Sequence, residues 1–348
     1  MSRTSKQVFV GKVAIGGGAP VVIQSMLSVP STDFAGNVAQ AKRLEQAGCR
    51  IIRTAVPDKA ALALIPALKE AVSMPVVADI HFDYRLALES VRMGADKIRI
   101  NPGNIGGREN VWAVAEACGA RGVPIRIGVN SGSVEKSILE KYGAPTAEAL
   151  VESAAYHASL LEETGFTNIV LSLKSSDLRT MISAYRLAAE RFSYPLHLGV
   201  TEAGTERIGL IKSAIGIGSL LADGIGDTIR VSLTAEPESE IAAAKDILKA
   251  LGLPGCGAQV ISCPTCGRTR IDLQTLAAEV ERRLAGCTRD IRVAVMGCAV
   301  NGPGEAREAD FGIAGGEDCG LVFSHGEILG KYPEDCLVDE LMKRIGES

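Results

Sequence analysis

PVVADIHFDYRLALESVRMGADKIRINPG (75–103) holds a complete structural unit: a short β-branched run, a polar turn, a helical stretch and a second short run. Working outward, the same grammar repeats from Pro20 to about Leu253. The other strands are read at PVVIQSM (20–26), IIRTAVP (51–57), PIRIGVNSG (124–132), NIVLSLKSS (168–176), PLHLGVTEAG (195–204) and TIRVSLTAEP (228–237). With 75–81 and 96–103 they make eight, and the segments between them carry apolar residues at three- and four-residue spacing, as in DKAALALIPALKEAVS (58–73). Eight alternating β and α units joined by short turns predict parallel strands, right-handed crossovers and a (β/α)8 barrel. A doubly wound sheet is the alternative, but its Gly-rich fingerprint follows a strand, whereas GGGAP (16–20) precedes the first one and reads as a turn.

The chain has 348 residues, which suits one large domain and a smaller one; the expected division is a barrel over 1–254 and a small α+β domain over 255–348. A formal charge of −4 gives no overall attraction to nucleic acid or anionic membrane, so any basic site is local and the expected partners are small molecules. The N-terminus has no apolar stretch of signal-peptide length and no later run is long enough to span a bilayer, so a cytoplasmic protein is expected. In that reducing compartment the nine cysteines are expected as thiols or metal ligands.

The tail carries Cys263 and Cys266 in SCPTCG, then Cys298 in MGCAVNGPGEA with Glu305 seven residues further on. Three thiolates followed by an acidic residue point to a metal or cluster site with one unlike ligand. No His stands at a suitable spacing to close a zinc site, which favours iron and sulfide. A zinc knuckle with Cys256 as fourth ligand stays open on the residues alone, as does a thioredoxin-like pair, although Pro264 and Gly267 read as a turn rather than a helix start.

Polar residues on the barrel strands share one period. Arg99 and Asn101 are two apart, as are Arg126, Gly128 and Asn130, and again Arg230 and Ser232. Period two means one face. Arg53, Lys174, His197, Thr201, Glu202, Asp79 and His81 also fall on strands or at their C-terminal ends. Barrel interiors are normally filled by Val, Ile and Leu, so five cations (Arg53, Arg99, Arg126, Lys174, Arg230) on inner or upper positions require a counter-charge. Asp79, Asp83 and Glu202 are too few to supply it, and Arg favours bidentate phosphate contacts, so a diphosphate at the C-terminal mouth is expected.

With these residues in hand, the chain resembles the 4-hydroxy-3-methylbut-2-enyl diphosphate synthase family, iron-sulfur oxidoreductases of the methylerythritol phosphate route to isoprenoids. The motifs that carry the resemblance run nearly end to end: APVVIQSM, VADIHFDYRLAL, RINPGNIG, PIRIGVNSGS, EKYG, LHLGVTEAG, KSAIGIG, GIGDTIRVSL, CPTCGR and GCAVNGPGEA. The resemblance implies a [4Fe-4S] cluster held by Cys263, Cys266, Cys298 and Glu305, which removes the zinc reading. It implies substrate contacts at Arg53, Arg99, Asn101, Arg126, Asn130, Lys174, Arg230 and Ser232, to which strand position adds His197, and a proton-handling carboxylate at Glu202. The implied reaction opens 2-C-methyl-D-erythritol 2,4-cyclodiphosphate and reduces it by two electrons to 4-hydroxy-3-methylbut-2-enyl diphosphate with loss of water. The first loop, QSMLSVPSTD (24–33), departs from the family pattern: Leu27 and Val29 follow QSM where a polar Thr or Asn is usual.

Two rivals are a Schiff-base lyase using Lys174 and a non-catalytic iron-sulfur redox sensor. Lys174 is followed by Ser175, Ser176 and Asp177, polar company for an amine nucleophile. No flavin or nucleotide fingerprint is present, which leaves the electron donor open between a flavodoxin, a ferredoxin and a pyridine-nucleotide reductase. The helix read in EPESEIAAAKDILKALGL (236–253) runs back down the barrel wall, so the chain leaves at the face opposite the cations. A head-to-tail homodimer, each cluster domain capping the partner's barrel, is expected from that geometry and from the resemblance.

Overall fold

The computed structural model describes residues 3–298, 306–316 and 319–347. The chain forms two compact units, Met1–Ile247 and Leu248–Ser348. The first opens with an antiparallel hairpin of β1 (Val8–Val10) and β2 (Val13–Ile15), which the sequence reading did not include. Then come β3 (Val22–Met26), β4 (Ile51–Ala55), β5 (Val76–Asp79), β6 (Lys97–Ile100), β7 (Ile125–Asn130), β8 (Ile169–Lys174), β9 (His197–Leu198) and β10 (Thr228–Ile229). These coincide with the eight expected strands. Every pairing is parallel, in the order β8-β7-β6-β5-β4-β3-β10-β9. A parallel bridge between Leu171 and Leu196 brings the two end strands together, so the sheet forms a nearly closed barrel with the helices between its strands, as expected.

Helix starts are fixed locally. Asp33, Asp83, Thr146 and Asp177 each accept a hydrogen bond from a backbone N–H in the first turn of the helix that follows. Asp83 therefore serves as a cap and does not neutralise the strand cations. Gly16, Gly17 and Gly18 all have positive φ, the turn expected for GGGAP. That turn follows β2, and Val8, Val10 and Ile15 of the hairpin pack with Val22, Ile51, Val77 and Val170 on the barrel strands. Val22 and Ile51 open their strands, so the hairpin closes the N-terminal end of the barrel with apolar side chains and leaves the C-terminal mouth for polar chemistry. Among the described residues no helix is long and apolar enough to cross a membrane.

The second unit is an α+β layer. Its sheet runs β11 (Gln259–Ser262), β12 (Arg292–Met296), β13 (Phe311–Gly315), β14 (Gly320–Ser324) and β15 (Glu327–Tyr332), the first three parallel and the last three antiparallel. Leu273, Val280 and Leu284 from helix Leu273–Leu284, with Leu337, Leu341 and Ile345 from helix Leu337–Glu347, pack on Val293, Val295, Ile313 and Val322. Met296, Ala306, Ala314, Leu321 and Phe323 form a second apolar cluster with Cys263 beside it.

Candidate active site

Parallel registry sets the barrel interior. Asp79 pairs with Arg99, Arg99 with Arg126, Gly128 with Ser172 and Asn130 with Lys174, so these positions share one face, in successive layers that rise toward the C-terminal ends of the strands. A cavity of about 380 Å³ opens there, lined by Arg53, Arg99, Arg126, Lys174 and Arg230, with Asn130, Ser232, Asp79, Glu202, His81, Thr201, Ser172 and Met26. Two glycines make the room. A Cβ on Gly128 would lie 2.8 Å from the Arg99 guanidinium, and one on Gly199 would lie 2.9 Å from the Arg230 carbonyl oxygen and 3.2 Å from Lys174 Nζ.

Five basic side chains line this cavity against two carboxylates, Asp79 and Glu202. Asp79 is already engaged: Arg99 Nη1 is 3.1 Å from Oδ1, and Arg53 Nε and His81 Nε2 are each 3.4 Å from Oδ2. Burial opposes ionisation of Asp79, yet Arg53, the His81 hydrogen bond and Arg99 outweigh it and hold the carboxyl well below its usual range. The cations show the reverse balance. Burial first, then the mutual repulsion of the group, lowers both Lys174 and Arg126 well below their ordinary values. Arg126 is 1% exposed and its Nε and Nη1 have no hydrogen-bond partner. Buried unpaired donors of this kind cost several kcal/mol unless an anion meets them. Glu202 has φ 53°, a left-handed conformation rare for a residue with a side chain, at the rim of the cavity.

Of the residues expected to touch substrate, the structure brings Arg53, Arg99, Arg126, Asn130, Lys174, Arg230, Ser232 and Glu202 together on this cavity and leaves Asn101 and His197 off it. Asn101 is buried where it accepts from Gly103 N–H at 3.1 Å and donates to Ser133 Oγ at 3.0 Å, so it joins two loops of the mouth. His197 is fully buried, with Nδ1 2.8 Å from Thr228 Oγ1; burial and the nearby Arg126 keep the ring neutral. Sequence reasoning missed three participants. Ser172 has the parity of Lys174 and was legible by that rule. Met26 Sδ stands 2.7 Å from Arg53 Nη2 and 3.8 Å from Arg230 Nη1, a soft acceptor between two guanidinium groups. Glu240, on helix Pro237–Ala250, accepts from Leu233 N–H at 3.0 Å and lies 3.5 Å from Arg230; burial raises its pKa. Nothing in a helical pattern announces such a partner.

In the second unit, Cys263 directly follows β11 and Cys298 lies two residues beyond β12, and these neighbouring strands are parallel with Ser262 opposite Val295. Both thiols therefore sit at one end of the sheet. Gly297 N–H donates to Cys263 Sγ at 3.1 Å. Hydrogen bonds from Arg268 lower the exposed Cys266 thiol, and Thr269 N–H donates to the Cys266 carbonyl at 3.0 Å, closing the turn expected there. An N–H donated to sulfur and a thiol drawn toward thiolate suit soft-metal or cluster ligation. Among the described residues no three Cys, His, Asp or Glu side chains already stand grouped as a metal site, and Glu305 lies outside the described residues. Cys256 lies apart, lining a groove with Asp290 and Arg292, and burial raises its pKa.

Comparison with known proteins finds a match for each of the two units. In solved structures the barrel is similar to a dihydropteroate synthase from Yersinia pestis (TM-score 0.50, 15% identity, 72% of this chain and 98% of that one) and to the spore coat polysaccharide biosynthesis protein spsE from Bacillus subtilis (TM-score 0.51, 12% identity, 70% and 72%). At such identity these show the fold alone. Relatives named 4-hydroxy-3-methylbut-2-en-1-yl diphosphate synthase (flavodoxin) are far nearer. That of Geobacillus thermodenitrificans is 57% identical over 341 residues (98% of this chain, 91% of its own length), and that of Clostridium perfringens is 57% identical over 343 residues (99% and 98%). The GcpE TIM-barrel domain matches residues 5–245 and the GcpE protein C-terminal domain matches 259–347. Barrel, tail and nearly every residue between them are accounted for, and the chain belongs to the GcpE family.

Proposed function

We propose that the protein is a 4-hydroxy-3-methylbut-2-enyl diphosphate synthase, which opens and reduces 2-C-methyl-D-erythritol 2,4-cyclodiphosphate by two electrons to 4-hydroxy-3-methylbut-2-enyl diphosphate, with proton uptake and loss of water. The observation that carries this reading is the surplus of basic groups at the mouth: Arg53, Arg99, Arg126, Lys174 and Arg230 against Asp79 and Glu202 in the cavity and Glu240 behind Arg230. A cyclic diphosphate is a compact dianion, and charge-assisted contacts from guanidinium forks and one ammonium match its oxygens. Asn130 and Ser232 supply neutral donors at the same rim. Relatives that span nearly the whole chain and bear the synthase name favour neither a lyase nor a sensor.

In this reading Cys263, Cys266 and Cys298 hold a [4Fe-4S] cluster, with Glu305 as its oxygen ligand. Such a cluster would supply electrons one at a time. The chain's own residues do the rest. The cations clamp the diphosphate so that the ring carbons face the opening, and Met26 and Asp79 keep the guanidinium groups apart and oriented. Glu202, a carboxylate exposed at the rim, passes a proton from solvent to the departing hydroxyl. The electron donor is a flavodoxin, following the relatives' names. The protein acts in the cytoplasm as a head-to-tail homodimer. The dimer is supported by the course of helix Pro237–Ala250: it starts beside the mouth, where Glu240 meets Arg230, and five residues on Lys245 covers Gly48, in the loop before β4. The chain thus leaves the barrel at the end opposite the cations.

The test is turnover. Anaerobically prepared protein, brown and containing iron and sulfide, is incubated with the cyclic diphosphate and a chemical reductant, and the product is identified by mass. Formation of the hydroxymethylbutenyl diphosphate is expected; a protein that carries the cluster yet leaves substrate unchanged is a sensor, and the proposal fails.

A further inference from the structure

The loop after β7 (131–146) carries EKYG (140–143), a motif with no part in the chemistry above. It is held down at both ends. Lys141 Nζ and Tyr142 OH each lie 2.6 Å from Glu152 Oε2 on helix Ala147–Glu162. At the other end, Glu135 Oε1 lies 2.5 Å from Nε2 of His157 on the same helix. His157 is 1% exposed, while the Lys141–Glu152 contact is on the surface and the Tyr142–Glu152 bond only partly buried. Exposed pairs contribute little, so the buried contact is the one with energetic weight. Glu135 is also the residue from which helix Lys136–Tyr142 begins, its carbonyl accepting from Ile138 and Leu139 N–H.

The contact reaches the cavity by two short routes. Five residues before Glu135, Asn130 lines it, and Ser133 between them donates to the Asn130 carbonyl at 3.2 Å and accepts from Asn101 at 3.0 Å. The loop after β6 packs on the pair itself: a Cβ on Gly103 would lie 3.4 Å from His157 Cε1 and 3.5 Å from Glu135 Oε1. We infer that Glu135 and His157 form a largely buried latch that positions Asn130 and the Asn101–Ser133 bridge, and so the loops after β6 and β7, at the mouth of the cavity. This rests on the synthase reading. Both are positioning residues, since neither lines the cavity. Glu135 Oε1 and His157 Nε2 are in close contact, though the approach is off the line of a hydrogen bond. Burial works against the Glu135 carboxylate, but His157 and Ser153 beside it more than offset burial, so its pKa is lowered.

The test is steady-state kinetics of reconstituted holoenzyme. Because the latch aligns groups that bind substrate, His157→Leu is expected to raise KM for the cyclic diphosphate about tenfold with kcat within about twofold, a change in binding and not in the chemical step. His157→Gln, which keeps an N–H donor, should recover most of the affinity. Should His157→Leu not fold, Glu135→Ala removes the acceptor without adding bulk and should give the same KM shift, and the double variant should go no further than either single one. Iron content and circular dichroism are expected to match the unaltered protein. Folded variants with unaltered KM, or a KM rise that His157→Gln leaves in place, overturn the latch. Failure of the unaltered protein to turn over the cyclic diphosphate would instead sink the synthase reading.

Discussion

Asp79 Oδ1 accepts from Arg99 Nη1 at 3.1 Å across two adjacent strands, and the same carboxylate lies 3.4 Å from Arg53 on its other side. One buried carboxylate thus holds two of the five cations. Asp79→Asn keeps the shape and removes the charge, leaving both guanidinium groups uncompensated, and is expected to cost about 3 kcal/mol of barrel stability. The pH dependence has a definite sign. Asp79 has a lowered pKa when folded, so its contribution is complete above the unfolded value of about 3.9 and is lost as pH falls below it toward the folded value. Urea midpoints measured between neutral and acid pH should converge for the two proteins at the acid end; midpoints that stay equally far apart at every pH would refute this.

Lys174 is the cation with the most to gain from substrate. In the free protein burial and Arg230 lower its pKa well below the ordinary value, whereas a bound dianion stabilises the ammonium and raises it again. Binding should therefore take up a proton, and affinity should weaken as pH rises. Calorimetric titration in two buffers of different ionisation enthalpy measures the uptake directly. Equal heats in both buffers would show that Lys174 is charged throughout.

Cys298→Ser and Cys266→Ser are expected to abolish cluster assembly, while Cys256→Ser and Cys287→Ser leave iron and sulfide unchanged. Cys263 and Cys298 lie at the same end of neighbouring strands, whereas Cys256 belongs to a separate groove with Asp290. Iron and sulfide analysis decides this, and loss of iron in Cys256→Ser would reassign the ligands.

The dimer makes its own prediction. Mixing Arg230→Ala with Cys298→Ser under subunit exchange should restore activity, because one of the two sites in each head-to-tail heterodimer pairs an intact barrel with an intact cluster. Verified heterodimers without turnover would mean that each chain serves itself.

The barrel was legible because two periodicities alternate eight times, and the inner face was legible because one strand parity collects Arg, Lys and Asn. Arg99, Arg126, Lys174 and Arg230 all follow from that rule. The hairpin was not, since VFV and VAI flank a Gly-Lys turn too short to stand out before the barrel closes over them. Asn101 and His197 show where parity stops. It gives the facing of a side chain, while height along the barrel and the competing partners Ser133 and Thr228 decide whether that side chain meets the cavity. Glu240 and Met26 needed the fold itself, because their roles come from residues distant in sequence.

Binding of the cyclic diphosphate to the cationic mouth is measured most directly by titrating it into anaerobic, oxidised protein without reductant, so that no turnover intervenes. Saturable binding of one molecule per chain is expected, weakened by rising salt. Arg230→Ala and Lys174→Ala should each lose about 1.5 to 3 kcal/mol of it, roughly 10- to 150-fold, with the cluster spectrum unchanged. Absence of saturable binding, or affinities in both variants equal to that of the unaltered protein, would contradict the assignment of this cavity to the substrate.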